Sequence, residues 1–447
     1  MASASQEFVA YLQLTCPYAR GCPVVERIEA EAFRVGVCEI NGWRAHHEDA
    51  HIACCTEGWG FFGVFDGHCG AACSKFAAQR ITELLYSDGC PSDDLGAKRL
   101  MLRVDDEFLS SADPSSGSTA ACCIIRPAAE RHLLHVVNAG DSRVLLGTLD
   151  GVLVDGGGTD QALTTDHNPA NPAEAERIYR CGGHVERSRV NGSLAVSRAL
   201  GDAPFKRTGG PSAEDRPVTA DPQMGHFECG SGEFVVLACD GIFEGIHNSA
   251  AVAVAARVLR ETGDLGGAAQ AVCQAALAAG SKDNVTCMVV QIGSIGGDGQ
   301  MNREYVPGVL DPTVLSDAPF IAAYSAMAAR AGLGLSAAVQ LRFDFAQGQL
   351  LDRGWGIGLQ KELAAIGVPE GALGSSKRTK WFTNWADRTK ANCGRRRAHG
   401  ESNRGRILDA ARANAEERRG NAAAEITEEE IDTENLFGEA PLYSPYV

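Results

Sequence analysis

From Phe33 onward, apolar residues fall into short continuous runs broken by Gly, Asp or Asn. FRVGVCEI, FFGVFDG, STAACCIIRP, HLLHVVNAG, SRVLLGTLDG, EFVVLACDG and VTCMVVQI are rich in Val, Phe and Ile, which predicts β-strands. Between them lie GAACSKFAAQRITELLY, DDLGAKRLMLRVDDEFLSSA and NSAAVAVAARVLRETG. Their apolar residues recur every three to four positions, which predicts amphipathic helices. The stretch LLHVVNAGDSRVLLG, two apolar runs around NAGD, predicts a β-hairpin. Several strands follow one another without a helical crossover, and two helices are consecutive. That order favours an α+β fold of antiparallel sheets with helices packed outside them, over a doubly wound parallel sheet. The pattern alone does not fix the order of the layers.

The pattern also divides the chain. Residues 1–32 read as a loosely structured lead-in, 33–293 as the folded domain and 294–447 as an extension. The extension opens on the linker-like GSIGGDGQ. APFIAAYSAMAARAGLGLSAAVQL is the most apolar stretch, but it carries Arg330 and two glycines. It reads as a helix pair, not a membrane span. The chain is basic from Lys377 to Arg419, then acidic around EITEEEIDTE. Opposite charge blocks with few apolar residues read as a part-helical, part-disordered tail.

Composition adds exclusions. The 447 residues carry a formal net charge of -16 with 45% hydrophobic residues, enough for a sizeable core and unsuited to nucleic acid as main partner. The acidity fits a protein that gathers carboxylates around cations. The 16 cysteines lie largely in apolar runs without CxxC pairs. They read as reduced, buried thiols, not a zinc or disulfide framework. The start has no secretory pattern, and Ala2 stands where myristoylation requires glycine. A cytoplasmic monomer is expected, with nuclear import left open by the basic cluster Arg395–Arg397.

The informative feature is where the carboxylates stand. Asp66 ends FFGVF and precedes Gly67 and His68; Asp240 ends FVVLAC; Asp283 precedes VTCMVVQI; Glu48 and Asp49 follow a strand and turn. A carboxylate where a buried strand emerges is held rigidly and points into a cleft. Several together repel unless a cation neutralises them, and hard Mg²⁺ or Mn²⁺ suits such oxygen donors. No cysteine carries an arginine six positions on within a glycine-rich loop leading into a helix, so a cysteine-phosphate route is not indicated.

GWRAHHEDAH, FFGVFDGH, GSTA, NAGDSR, LTTDHNP, SLAVSRALGD, VLACDGIFE and SKDNVT occur in that order over about Phe33 to Ile292. Together they resemble the type 2C metal-dependent protein phosphatases. The resemblance implies a four-layer α-β-β-α sandwich of two antiparallel sheets flanked by helices, with metals at one end. It implies hydrolysis of phosphoserine and phosphothreonine in phosphoprotein substrates with two Mg²⁺ or Mn²⁺ ions, and a weaker third site. Asp66 then resembles the metal-bridging carboxylate and Gly67 the carbonyl ligand. Asp240 and Asp283 resemble the other direct ligands, Glu48 the acid that holds metal-bound water, and Asp141 the acid of the third site. Arg44 resembles the phosphate-binding arginine and His68 the general acid; Asp49, Asn284 and Glu244 are supporting residues. Two such ions about 3.5–4 Å apart would lower the pKa of a bridging water and deliver hydroxide to phosphorus. Arg44 would pair with phosphate oxygens, and His68 would protonate the leaving oxygen.

Two positions depart from the pattern. Cys69 stands where DGHGG has its first glycine after the histidine, which is tolerable if the backbone is not left-handed; its thiol would then expose activity to oxidation. Glu244 replaces the usual aspartate with a longer reach, which puts the third site in question. A catalytically dead relative that only binds phosphoproteins would be expected to lose one of Asp66, Asp240 and Asp283, and all three are present. A hydrolase of small phosphorylated metabolites remains a rival on sequence alone.

Overall fold

The computed structural model describes residues 22–393 except 31, 211, 231, 294–300, 311–314, 316 and 354–356, with only the backbone of 351–353 and 357. The linker after Gly293, the acidic block, the Arg395–Arg397 cluster and most of the lead-in lie outside the described residues. The elements below belong to the compact unit that ends at Lys390.

A seven-stranded sheet has the order β10 (Leu153–Val154), β9 (Arg143–Thr148), β15 (Glu233–Ala238), β16 (Val285–Ile292), β2 (Phe33–Ile40), β1 (Val24–Glu29) and β17 (Met301–Tyr305). A five-stranded sheet runs β14 (Gln223–Cys229), β8 (His132–Ala139), β7 (Ala120–Arg126), β4 (Gly60–Phe65) and β3 (Ala50–Cys55). A small sheet joins β13 (Leu200–Gly201), β6 (Gly117–Ser118) and β5 (Gly67–His68), and β11 (Val185–Glu186) pairs with β12 (Arg189–Val190). Every pairing in these sheets is antiparallel. The helices include α1 (Ala72–Asp88), α2 (Asp94–Leu109), α3 (Pro172–Arg180), α4 (Asp240–Phe243), α5 (Asn248–Thr262), α6 (Leu265–Ala278), α7 (Ala318–Arg330), α8 (Leu335–Arg353) and α9 (Ile357–Ile366). Mixed helices and antiparallel sheets make this an α+β protein.

The strands read as continuous apolar runs because both faces are buried. Alternate residues enter different cores, as the two-residue period of a strand requires. In β2, Phe33, Val35 and Val37 join Phe62 and Val64 of β4 and Val136 of β8 in one cluster. Cys38 and Ile40 join Val252 and Ala255 of α5 and Ala269 and Val272 of α6 in another. Phe61 and Phe65 of β4 turn instead toward Ile81 and Leu85 of α1 and Met101 and Val104 of α2. Helix α6 lies so close to β2 that a Cβ at Gly36 would stand 2.0 Å from the carbonyl carbon of Leu265.

Three expectations need correction. LLHVVNAGDSRVLLG is not a hairpin: β8 pairs with β7 and β14, whereas β9 pairs with β10 and β15. NAGD carries the chain from one sheet to the other. Val136, Val144 and Leu146 still share a core, so apolar pattern and turn residues could not distinguish this crossing from a hairpin. Second, residues 24–29, read as lead-in, form β1, paired on one side with β2 and on the other with β17 from beyond the linker. VVERIE was overlooked because its inward-facing Glu26 and its Arg27 break the apolar run. Third, the backbone at Cys69 is left-handed, with φ 57°.

The apolar stretch after residue 317 forms α7 and the start of α8. No helix among the described residues is long and apolar enough to cross a membrane.

Candidate metal centre

Strand register brings the acidic residues to one end of both sheets. Asp49 precedes β3 and Asp66 follows β4, and Ala50 pairs with Phe65. Asp240 follows β15 and Asp283 lies two residues before β16, where Ala238 pairs with Cys287. Asp141 lies in the β8–β9 crossing, beside Ala139, which pairs with Ala120, and Arg143, which pairs with Ala238. The loop carrying Arg44 and Glu48 leaves β2 at Ile40, opposite Val285.

Backbone contacts fix these positions. The Asp66 N–H donates to Thr119 Oγ1 at 3.1 Å, and the Thr119 N–H donates to the Asp66 carbonyl at 2.9 Å. Thr119 Oγ1 in turn lies 2.8 Å from Ser142 Oγ. A Cβ on Gly67 would meet the Glu48 carbonyl at 2.2 Å and Ser74 Oγ at 2.8 Å, so glycine is required for this approach. Ser74 Oγ donates to the Glu48 carbonyl. Asn284 Oδ1 accepts from the Glu48 N–H at 2.9 Å, and its Nδ2 donates to the carbonyls of Asn41 at 2.7 Å and His46 at 3.0 Å. One amide thereby ties down the whole 41–48 loop.

The electrostatics are those of crowded carboxylates. Burial, then Asp240, Asp49 and Asp141, hold Asp66 well above the usual carboxylate range. Burial, then Asp240 and Asp166, do the same to Asp141. Asp240 is raised by burial and by Asp283, against the opposing pull of its hydrogen bond with Asp66 and of Arg44. Burial pushes Asp49 up to about 7, although Thr286 Oγ1 donates to its Oδ2 at 2.6 Å. Asp49 Oδ1 is buried without a hydrogen-bond partner. Carboxyls this close cannot all ionise without a compensating cation. The donors are oxygens of the kind hard divalent ions take. Asp240, Glu244 and Asp283 bring ligand atoms within 4.8 Å of one another; the longer Glu244 side chain therefore still reaches the cluster. Glu244 is also raised, by burial, Asp240 and Asp283. The residues present fit a divalent-cation centre.

Arg44 stands at the rim, with its side chain 59% exposed, and donates to Asp283 Oδ2. Burial works against its charge, but Asp283, Asp240 and Asp66 outweigh it and raise its pKa. His68 Nε2 lies 2.9 and 2.7 Å from the two carboxylate oxygens of Asp202. The Cys69 side chain is exposed, and burial, Asp202 and Glu48 raise its pKa, which leaves little reactive thiolate.

Sequence reasoning missed Thr119, Ser142 and Asp202, although each stood in a quoted segment. A hydroxyl beside a strand end and an aspartate after a glycine are ordinary turn features until the fold shows what they touch.

The family model described as Protein phosphatase 2C matches residues 33–285. A mouse protein named Probable protein phosphatase 1N is 35% identical over 273 residues, covering 58% of this chain and 64% of that protein. Human Protein phosphatase 1A is 32% identical over 284 residues, 59% of this chain and 71% of that one. Among solved structures, a phosphatase from a pathogenic strain of Toxoplasma gondii superposes with a TM-score of 0.56 at 26% identity, covering 63% of this chain and 99% of that one.

Proposed function

Because the chain belongs to the protein phosphatase 2C family, we propose that it is a serine/threonine protein phosphatase that hydrolyses phosphoserine and phosphothreonine in phosphoprotein substrates, using two divalent cations, Mg²⁺ or Mn²⁺. The observation that carries this reading is the convergence of Asp66, Asp240 and Asp283, half-buried and crowded together, at one end of the sheets.

In this reading Asp66, the Gly67 carbonyl, Asp240 and Asp283 would hold the two ions. Glu48 would hold water beside them, and Asp141 and Glu244 would serve a weaker third site. Cations held there would lower the pKa of water and supply hydroxide at neutral pH. Arg44 exchanges Asp283 for the substrate phosphate, to which its planar fork can offer paired donors. His68 holds a proton for the departing serine or threonine oxygen, a contribution of about 10²–10⁴-fold. Asp202 fixes the ring that carries that proton, and Asn284 fixes the loop that carries Arg44 and Glu48. No covalent phosphoenzyme is required. The three clusters described above support an α-β-β-α layering, with β1 and β17 completing the catalytic domain built on residues 33–293. A cytoplasmic or nuclear location is part of this proposal.

The test is phosphate release from a phosphothreonine peptide and, in parallel, from a sugar phosphate, with Mn²⁺, Mg²⁺ or EDTA, for the parent chain and Asp240→Asn. Peptide turnover abolished by EDTA and by the substitution is expected. A folded, cation-binding chain without turnover would make it a phosphoprotein-binding relative. Preference for the sugar phosphate would move the substrate class to metabolites.

A further inference from the structure

His135 and His226 sit directly opposite each other on neighbouring strands β8 and β14. Leu134 and Val136 point into the core shared by the two sheets, so His135 points to the other face, where α2 packs. His226, as its cross-strand partner, projects from the same face. The two imidazole rings stack with centroids 4.5 Å apart and planes 14° from parallel. Asp94, in the first turn of α2, meets both: its Oδ1 is 3.0 Å from His135 Nε2 and 2.7 Å from His226 Nε2.

We infer that Asp94, His135 and His226 form a transition-metal site, of the class that takes Zn²⁺, separate from the carboxylate centre. All three ligand atoms lie within 4.8 Å of one another. His135 is only 5% exposed, and its Nε2 is buried with the ion-pair contact to Asp94 and no well-formed hydrogen bond. A buried ring nitrogen left unsatisfied is costly, and this one stands 3.0 Å from Asp94 Oδ1, which also lies 2.7 Å from His226 Nε2. Two imidazoles and one carboxylate make a nitrogen-rich donor set, which selects Zn²⁺ and its neighbours over Mg²⁺. The side chains of His226 and Asp94 are 63% and 57% exposed, so an ion could enter from solvent and keep a water as fourth ligand.

Burial and the adjacent His226 lower the pKa of His135, which favours the neutral ring that a metal requires. The site lies six residues up β8 from Asp141, about 20 Å of extended chain. An ion there would clamp the first turn of α2 to β8 and to the edge strand β14.

The experiment titrates Zn²⁺ into the metal-free full chain in excess Mg²⁺ by calorimetry, and compares it with His226→Ala and Asp94→Asn. Both substituted side chains are exposed and lie outside the catalytic machinery, so Mg²⁺-supported activity is expected to stay at the parent level. Zn²⁺ uptake by the carboxylate centre is common to all three proteins, and the readout is the difference between them. The parent is expected to bind one more Zn²⁺ equivalent than either variant, or to bind it at least about tenfold more tightly, since even partners behind a ligand shift affinity by 10–100-fold. Zn²⁺ should also raise the melting temperature of the parent more than that of His226→Ala. Cobalt substituted at the site should give a visible absorption band that His226→Ala lacks. Equal stoichiometry and affinity in parent and variants, or no Zn²⁺ uptake by the parent under Mg²⁺, would overturn the assignment and leave an ordinary histidine–aspartate contact.

Discussion

Asp202 holds His68 by its Nε2, with both carboxylate oxygens within 2.9 Å. Asp202 is 2% exposed and left-handed at φ 55°, and its N–H donates to the Ser116 carbonyl at 3.0 Å. Gly117 lies between the partners: a Cβ there would stand 2.2 Å from Asp202 Oδ2 and 2.3 Å from His68 Nε2. The pair therefore closes only over a glycine. Asp202→Asn is expected to lower kcat on a phosphothreonine peptide by about 10–100-fold, the usual cost of losing a partner that orients a working residue, with KM little changed. The loss should be much smaller on p-nitrophenyl phosphate, whose leaving group needs little protonation. Gly117→Ala should show the same pattern. An equal loss on both substrates would remove Asp202 from the positioning of the acid.

The strands were legible because alternate residues serve two different cores, which leaves the whole run apolar. Their partners were not. Val136 and Val144 share a core although their strands belong to different sheets, and no local pattern separates a crossing from a hairpin. The carboxylates stood out because each ends or begins an apolar run. Asp202, Thr119 and Ser142 stood in quoted segments, but their roles depend on contacts across the fold. His135 and His226 lie far apart in the chain, at no metal-binding spacing, and only the β8–β14 register joins them.

The extension also reaches the centre. Arg330, at the end of α7, donates from Nε to Glu39 Oε2 at 2.8 Å and from a terminal nitrogen to the Asp49 carbonyl at 3.2 Å. Glu39 is 2% exposed, and Arg303 of β17 pairs with Glu26 at 2.7 Å. Removing one partner of a buried pair costs about 3–5 kcal/mol. Arg330→Met should fall near the lower end, because His51 stays 2.9 Å from Glu39. A chain ending at residue 293 loses both arginines and β17, and should be less stable still. Urea unfolding of the two variants tests this; a truncated chain as stable as the parent would show that the extension contributes nothing to the domain.

Acid should loosen the segment that leads to Asp202. Glu174 of α3 accepts from Arg177 at 2.6 Å, from Ser197 Oγ at 2.6 Å and from Arg198 at 2.7 Å. Its pKa falls to about 2: burial opposes the shift, but the hydrogen bonds and the two arginines outweigh it. A depressed pKa means that the folded state holds the proton less tightly than the unfolded state does. The contribution is therefore complete above the unfolded value near 4.5 and is lost as pH falls toward 2. The parent should lose stability over that window more steeply than Glu174→Gln, which should be less stable at neutral pH. Chemical unfolding at stepped pH reads both slopes, and parallel slopes would deny Glu174 this role.

Cys69 adopts a left-handed backbone, with φ 57°, directly after His68 and before Gly70 at φ 117°. A side chain in that region brings Cβ against its own carbonyl at a cost of about 1–2 kcal/mol. Glycine relieves the strain but gives back about 0.5–1 kcal/mol through the freedom of its unfolded chain. The Cys69 side chain is exposed, so little packing is lost. Cys69→Gly should therefore gain up to about 1 kcal/mol, a rise of roughly 2 °C in melting temperature for a domain this large. Cys69→Ala keeps the Cβ and should gain nothing. A stabilisation shared by both variants would place the cost in the thiol and not in the backbone.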